Sequence, residues 1–492
     1  MNNQDGFSTS GTILFYLDGM KEAGGVGFNY TNKLIGPEEI ELSVTRKSMT
    51  LLIDLDSQNL IHHFAEIDYL DEERPLIIVQ ASKSLEHNRR YALAVLDAAD
   101  MNGDKLPTSE HLKRLLGDHD TSLPETEQRR GDYYQTTVLP TLYKAAPWLD
   151  ENTTLCLLFD FHTASIESQL GDTRKIVKGS LDVVADAEWS GWGDHNVRVV
   201  KMIDNEMCIE ENNNIGRVIH VEMVLPSFLL YSNKRAKQLD REAINRGDTT
   251  STANFKVLVV VPCSISRGTI PLKALVDYGH GFLYSRQELL DAGFLHRVAN
   301  EEGYILFASN WRGMSYLDLT LIIRAFVAEP NLLDSVQANI MQGYGNKAAI
   351  QHFVRNSLLD MSFMKFDGKP IRLNEERDTR YLFYGISQGG ILGSAYTSLM
   401  SQTGLLDGSI ITSAGSPLSL IMSRSAIFVG YQTLLLMSLH FNRHVRIFVS
   451  LLQVYFDGID GPSVGLVGDS YGSNKEFKTL IQTGLVSLKK RF

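Results

Sequence analysis

A chain of 492 residues that is 43% hydrophobic and 21% charged has the composition of a globular protein, which excludes wholesale disorder and fibrous repeats. At about 150 residues per domain its length suits three domain-sized units or two large ones. The 47 basic and 58 acidic residues leave a net charge of −11 with no long basic block, which argues against a large nucleic-acid footprint. Cys156, Cys208 and Cys263 are widely spaced and odd in number, so their spacing gives neither a disulfide framework nor a zinc-site pattern and leaves the compartment open. The first residues lack a basic segment followed by an apolar one, so no signal peptide is expected and the cytoplasm is the default location.

The first half reads as β-rich. Residues 75–79 (PLIIV) and 90–96 (RYALAVL) suit buried strands. Asp100, Asn102 and Asp104 have the spacing of calcium ligands, but Lys105 stands where such a loop needs glycine and no Glu closes it. Asn102-Gly103 instead predicts a hairpin turn. A helix is expected at 110–116, and strands at 155–161 and 218–225. The polar, Ser/Thr-containing stretch 233–254 reads as an exposed connection, which sets the expected domains at 1–255 and 256–492.

The second half changes character. Residues 256–262 (KVLVVVP) form a continuous apolar run of the kind buried on both faces of a parallel sheet. Further strands are expected at 272–277, 304–308, 381–385, 409–412 and 478–483, with helices at 285–300, 317–329 and 389–401 between them. This alternation predicts an α/β domain with a mainly parallel sheet. Residues 426–456 are apolar but broken by Gln432, His440, Asn442, Arg443, His444 and Arg446, so amphipathic helices are expected there and no transmembrane segment.

The chemistry-bearing motif is Gly385-Ile386-Ser387-Gln388-Gly389, between a strand and an apolar helix. A sharp strand-to-helix turn lifts a serine hydroxyl above a sheet, Gly385 and Gly389 remove side chains that would collide, and the helix N-terminus offers N–H groups to developing negative charge. Tyr278-Gly279-His280-Gly281-Phe282-Leu283 follows an earlier strand. With these two motifs the chain resembles the α/β-hydrolase superfamily of serine esterases and lipases. The resemblance implies Ser387 as the nucleophile, the backbone N–H groups of Phe282 and Gln388 as oxyanion-hole donors, and His280, Gly281, Gly385 and Gly389 as residues that shape the site. His280 is expected to shape its loop rather than act as general base.

The resemblance extends further. Ser309-Asn310-Trp311-Arg312-Gly313-Met314-Ser315 looks like the family's D-x-R-G-x-S loop, with Asn310 in place of Asp and with Trp311 and Arg312 expected to buttress the floor of the site. Residues 76–107 and 155–165 resemble the N-terminal β domain of bacterial virulence-factor-type lipases. Residues 426–456 are expected to form a helical cap. The implied function is hydrolysis of a small-molecule or lipid ester, with no metal or organic cofactor and no nucleic-acid partner.

A serine nucleophile needs a base and the base needs an orienting acid, in the chain order Ser, acid, His. Beyond Ser387 the histidines are His440 and His444, and of the acids Asp407, Asp457, Asp460, Asp469 and Glu476 only Asp407 precedes either. No triad assembles in that order. Residues 477–485 resemble the strand whose end carries the acid, yet Gly484 is followed by Leu485. The expectation is therefore a truncated or frame-shifted hydrolase, with a catalytically dead binding module as the alternative.

Overall fold

The computed structural model describes residues 5–17, 33–68, 70, 75–100, 103–117, 124–186, 192–193, 195–205, 208, 214–231 and 237–468, with side chains described as far as 457. The strand expected at 478–483 lies outside the described residues. Of the described residues, those up to Gln169 and those of Pro417–Asp457 form one compact unit, and those of Leu170–Ser416 with Gly458–Ser463 form the other.

In the first unit β1 (Ile13–Phe15), β4 (His63–Asp68) and β5 (Leu76–Ala81) form one antiparallel sheet in the order β1-β5-β4. β2 (Thr50–Asp54), β3 (Asn59–Ile61), β6 (Arg90–Leu96) and β7 (Leu155–His162) form another in the order β3-β2-β6-β7. The period of two along β6 explains its unbroken apolar run. Tyr91, Leu93 and Val95 face a core shared with Phe15 and Ile77. Ala92, Ala94 and Leu96 face a second core with Leu112, Leu115 and Leu142 from the helices that cover the other side. A strand covered on both faces has no polar side to show, whichever way its neighbours run. Of the turn expected at Asn102-Gly103, Asn102 lies outside the described residues; beside it Asp100 N–H donates to Asp104 O, 2.9 Å, and Gly103 takes φ +85°.

The helices Val429–Leu439 and Asn442–Gly468 cover most of the stretch 426–456 expected as a cap, and the helix Leu418–Arg424 precedes it. Among the described residues no single helix is long and apolar enough to cross a membrane. The polar partners of these helices lie in the first unit. Arg446 holds Asp68 in a buried ion pair, with Nη2 to Oδ1 at 3.2 Å, and Arg424 pairs with Glu66. Residues Pro417–Asp457 group with the N-terminal strands in the first unit.

The second unit contains a seven-stranded sheet in the order β16-β15-β13-β14-β12-β9-β8. Its strands are β8 (Val197–Asp204), β9 (Ile215–Pro226), β12 (Thr252–Pro262), β13 (Ala274–Gly279), β14 (Tyr304–Ser309), β15 (Arg380–Ile386) and β16 (Gly408–Thr412). A separate hairpin joins β10 (Leu229–Tyr231) to β11 (Lys237–Leu239). The four strands β14, β13, β15 and β16 are parallel, as the alternation of strands and helices predicted. β12, expected to be parallel, runs antiparallel to both β14 and β9. Its apolar run has another cause: Val257, Val259 and Val261 enter one core, and Leu258 and Val260 enter the other.

The expected boundary at 255/256 falls inside β12, and β8 and β9 from the expected first domain belong to this sheet. The polar stretch 233–254 holds β11, the helix Arg241–Arg246 and the start of β12, with Thr252 opposite Pro226. A disulfide joins Cys208 to Cys263 and leaves Cys156 buried and free. This corrects the expectation of no disulfide. The pairing of Ile215 with Pro262 brings the β8–β9 connection to the end of β12, a proximity that a separation of 55 residues hides in the sequence.

Candidate functional site

The second sheet reverses its strand order between β13 and β15, since the chain runs from β13 outward to β14 on one side and returns to β15 on the other. In open α/β sheets the crevice outside the carboxyl ends of the strands at such a point is where ligands bind. Both glycine-rich motifs end there: Gly279 closes β13, and Ser387 follows β15, with Gly279 directly opposite Gly385 in the register.

Ser387 links β15 to the helix Gln388–Met400 and adopts φ 54°, ψ −120°. A non-glycine residue in that region carries about 1–3 kcal/mol of backbone strain, which persists only where the surroundings enforce it. Here they do. Ser387 N–H donates to Thr412 O of β16 at 3.0 Å, and Ser387 O accepts from Gly390 N–H at 2.8 Å and Ile391 N–H at 3.0 Å. The flanking glycines are required by contact. A Cβ on Gly385 would lie 2.3 Å from Gly389 O, and one on Gly389 would lie 2.1 Å from Gly279 O and 2.8 Å from His280 O. The turn that raises Ser387 is thus packed against the backbone of the 279–281 turn. Ser387 is half-buried.

His280 is fully buried and both its ring nitrogens are engaged. Nε2 accepts the Trp311 N–H at 2.8 Å, so the proton sits on Nδ1, which donates to Gly281 O at 2.9 Å. Burial pushes its pKa down to about 4, which keeps the ring neutral and makes it a brace between two loops. Gly281 N–H donates to Glu288 Oε2, 2.7 Å. Leu283, itself at φ 52°, donates its N–H to the side-chain oxygen of Gln388 at 3.1 Å. The Gln388 amide nitrogen donates in turn to Met314 O, 2.8 Å. One side chain next to the serine therefore ties together the loop after β13 and the loop after β14. The Gln388 backbone N–H opens its helix, where amides lack an intrahelical acceptor.

Under this surface lies an ion pair that the motifs do not announce. Asp277 of β13 meets Lys347 of the helix Leu333–Asn356, with both carboxylate oxygens 2.9 Å from Nζ. Burial raises the Asp277 pKa, and the lysine opposes that rise. The ammonium sits 4.5 Å from the ring centroid of Trp311 and 5.7 Å from that of Phe383. A Cβ on Gly279 would lie 2.8 Å from Phe383 and 3.2 Å from Trp311, so the same rings floor the turn. Trp311 is the buttress expected from its loop, whereas Lys347 and Asp277 carry no local signal because they are 70 residues apart. Asn310 Oδ1 accepts the Arg286 N–H at 2.9 Å.

The remaining candidates have structural work of their own. Asp407 accepts the Tyr381 N–H at 2.8 Å and lies 3.6 Å from Arg355. His440 closes the helix Val429–Leu439 at φ 66°, and the His444 ring packs on Phe441. Asp457 is buried in the first unit on Ser8, Ser10, Gln169 and Gln453. The side chain of Asp460, and the whole of Asp469 and Glu476, lie outside the described residues. Among the described residues no His or carboxylate hydrogen-bonds to the Ser387 hydroxyl, and no group of three His, Cys, Asp or Glu side chains is placed to hold a metal ion.

No protein-family profile matches the chain, and no curated protein matches it. Solved structures similar to parts of it include a cold-adapted esterase from an Arctic intertidal metagenomic library, 14% identical over 39% of this chain and 59% of that one, with a TM-score of 0.22. They also include an S-formylglutathione hydrolase of Staphylococcus aureus, 14% identical over 51% and 73% with a TM-score of 0.26. A third is the cell-wall-degrading esterase LipA of Xanthomonas oryzae, 12% identical over 56% and 74%, again at 0.26. Likenesses this weak carry no argument, and the chain spans only part of each of these proteins. The site rests on its own geometry.

Proposed function

We propose that this chain is a serine hydrolase of the α/β-hydrolase type that cleaves carboxylic esters through an acyl-enzyme on Ser387. The observation that carries the reading is the strained φ of Ser387, held between β15 and a helix N-terminus at the strand-order reversal of the sheet. Strain of this kind persists where a side chain must be presented in one direction.

In the proposed reaction Ser387 Oγ attacks the ester carbonyl and its proton leaves to a base. The carbonyl oxygen becomes an oxyanion between the N–H groups of Phe282 and Gln388. Collapse expels the alcohol and leaves the acyl group on Ser387, and water then releases the acid by the reverse sequence. The hydrogen bond from Leu283 N–H to the Gln388 side chain supports the donor assignment, because it draws the segment after Gly281 to the residue that follows the serine. Each such donor is worth about 2.7–4 kcal/mol of transition-state stabilisation.

A second reading, a binding module built on the same fold, is favoured by one observation: no described His or carboxylate reaches the Ser387 hydroxyl. Two measurements separate the readings. Turnover of p-nitrophenyl butyrate that disappears in Ser387→Ala, together with labelling of Ser387 by a fluorophosphonate, supports the hydrolase. Folded protein that neither turns over the ester nor takes the label supports the binding module.

A further inference from the structure

The seven-stranded sheet of the second unit ends in β16 on one side and in β8 on the other. β8 pairs with β9 along one edge, and among the described residues no strand pairs with its outer edge. Such an edge presents a row of backbone N–H and C=O groups that another strand can satisfy. The side chains of β8 carry both cores of the sheet outward without cover. Val199 stands opposite Val221 and Met202 opposite Ile219, both buried in the core that holds Val257 and Val259. Ile203 stands opposite Val218, which packs on the other core with Leu258 and Val260. Yet Val199 is 36% exposed, Met202 45%, Ile203 46% and Val200, which the register skips, 53%. Single exposed apolar residues are ordinary, but four so close together on one open edge form an unfinished surface.

Charge decides which strand fits. Laid antiparallel on a copy of itself about Lys201, β8 sets Arg198 opposite Asp204 of the copy, Val199 opposite Ile203 and Val200 opposite Met202. Opposite-charge and apolar pairs of this kind are the units that stabilise an antiparallel ladder. Each charged pair extends one that the chain already makes, because Arg198 holds Glu222 and Asp204 holds Arg217, with Nη2 to Oδ2 at 3.1 Å. Acid and base therefore alternate across the junction, from Glu222 to Arg198 and on to Asp204 and Arg217 of the copy. A slip of one residue in either direction sets Lys201 and Asp204 against apolar residues, so the charges select this register. The one like-charge pair, Lys201 on its own copy, lies on the axis and weakens the association.

We infer that two copies of this chain associate through β8, antiparallel about Lys201, so that their sheets become continuous. A two-fold pairing uses up this edge in both copies and stops at a dimer. The inference does not rest on the reading of Ser387 as nucleophile.

The test is sedimentation of the full chain across about a hundredfold range of concentration, where the mass should rise from 55.1 kDa to twice that value and no further. Val200→Lys and Met202→Lys place further charge on the exposed edge. Each should weaken the dimer by about tenfold or more while leaving the urea midpoint of the monomer unchanged. Lys201→Ser removes the like-charge pair and should tighten the dimer. Mild oxidation of Lys201→Cys should give a covalent dimer, because the axis sets residue 201 against itself. Ile203→Cys, about 13 Å from its copy in this register, should give none, nor should the unsubstituted chain, whose free Cys156 is buried. A mass of 55.1 kDa at every concentration, or growth beyond two copies, overturns the inference. So does a dimer that the two lysine variants leave unweakened, or one that Ile203→Cys crosslinks and Lys201→Cys does not.

Discussion

Asp277 in the second unit and Asp457 in the first are both buried, at 2% and 1% exposure, and they meet the cost of burial with different partners. Asp277 has a counter-charge, with each oxygen 2.9 Å from the Lys347 ammonium. Asp457 has neutral donors: Ser8 Oγ at 2.9 Å, Ser10 Oγ at 3.2 Å, Gln453 at 3.1 Å and Gln169 at 2.8 Å. Neutral donors satisfy lone pairs but do not replace the solvation of a charge, and burial pushes the Asp457 pKa up to about 6. The ion pair under the candidate site is a fixed element, whereas the carboxyl in the first unit is a titrating one.

The largest effect should come from Lys347→Met, which strips the buried Asp277 of its counter-charge. A loss of about 3–5 kcal/mol in urea unfolding is expected, and an unchanged unfolding midpoint would break the comparison at its first term. Adding Asp277→Leu to that variant should recover much of the loss, because no buried charge then remains. If the double variant is no better than the single one, the pair is holding the turn at Gly279 rather than balancing a charge.

The next effect concerns pH. A folded pKa raised above the ordinary value means that the folded state holds its proton longer than the unfolded one. The stabilisation from Asp457 is therefore present below about pH 4 and is lost as pH rises towards about 6, a difference on the order of 3 kcal/mol. Subtracting the pH profile of Asp457→Asn from that of the unsubstituted protein isolates this slope. A flat difference would show that Asp457 keeps an ordinary pKa. The smallest effect sharpens the account of the neutral donors. Ser10→Ala removes the one at 3.2 Å and should cost about 1 kcal/mol at neutral pH while moving the Asp457 transition to still higher pH.

The parts legible in the sequence are those whose causes are local. The turn at Ser387 was readable from the glycines two before and two after it; Gly385 is demanded by Gly389 O within the turn, whereas the contact that demands Gly389 is with Gly279 O, far along the chain. The parallel strands β13 to β16 were readable because helices separate them. The antiparallel course of β12 was hidden, since its apolar run reports that both faces are covered and says nothing of direction. The helix Leu333–Asn356 was missed for the opposite reason. Its Asn339, Gln342, Asn346, Lys347 and Gln351 look like solvent-facing residues, yet all are buried. Their partners, such as Pro226 O for Gln342 and Leu405 O for Gln351, lie far along the chain.

The amino-acid order alone settled the strand–turn–helix at Ser387, the glycine turn after β13 and the apolar faces of both units, because each follows from neighbours in the chain and from the period of the backbone. Only the folded molecule decided that Lys347 meets Asp277, that Arg446 answers Asp68 and that Cys208 meets Cys263. Those pairs join residues from 55 to 378 positions apart, and which distant side chains meet is set by how strands register and helices pack.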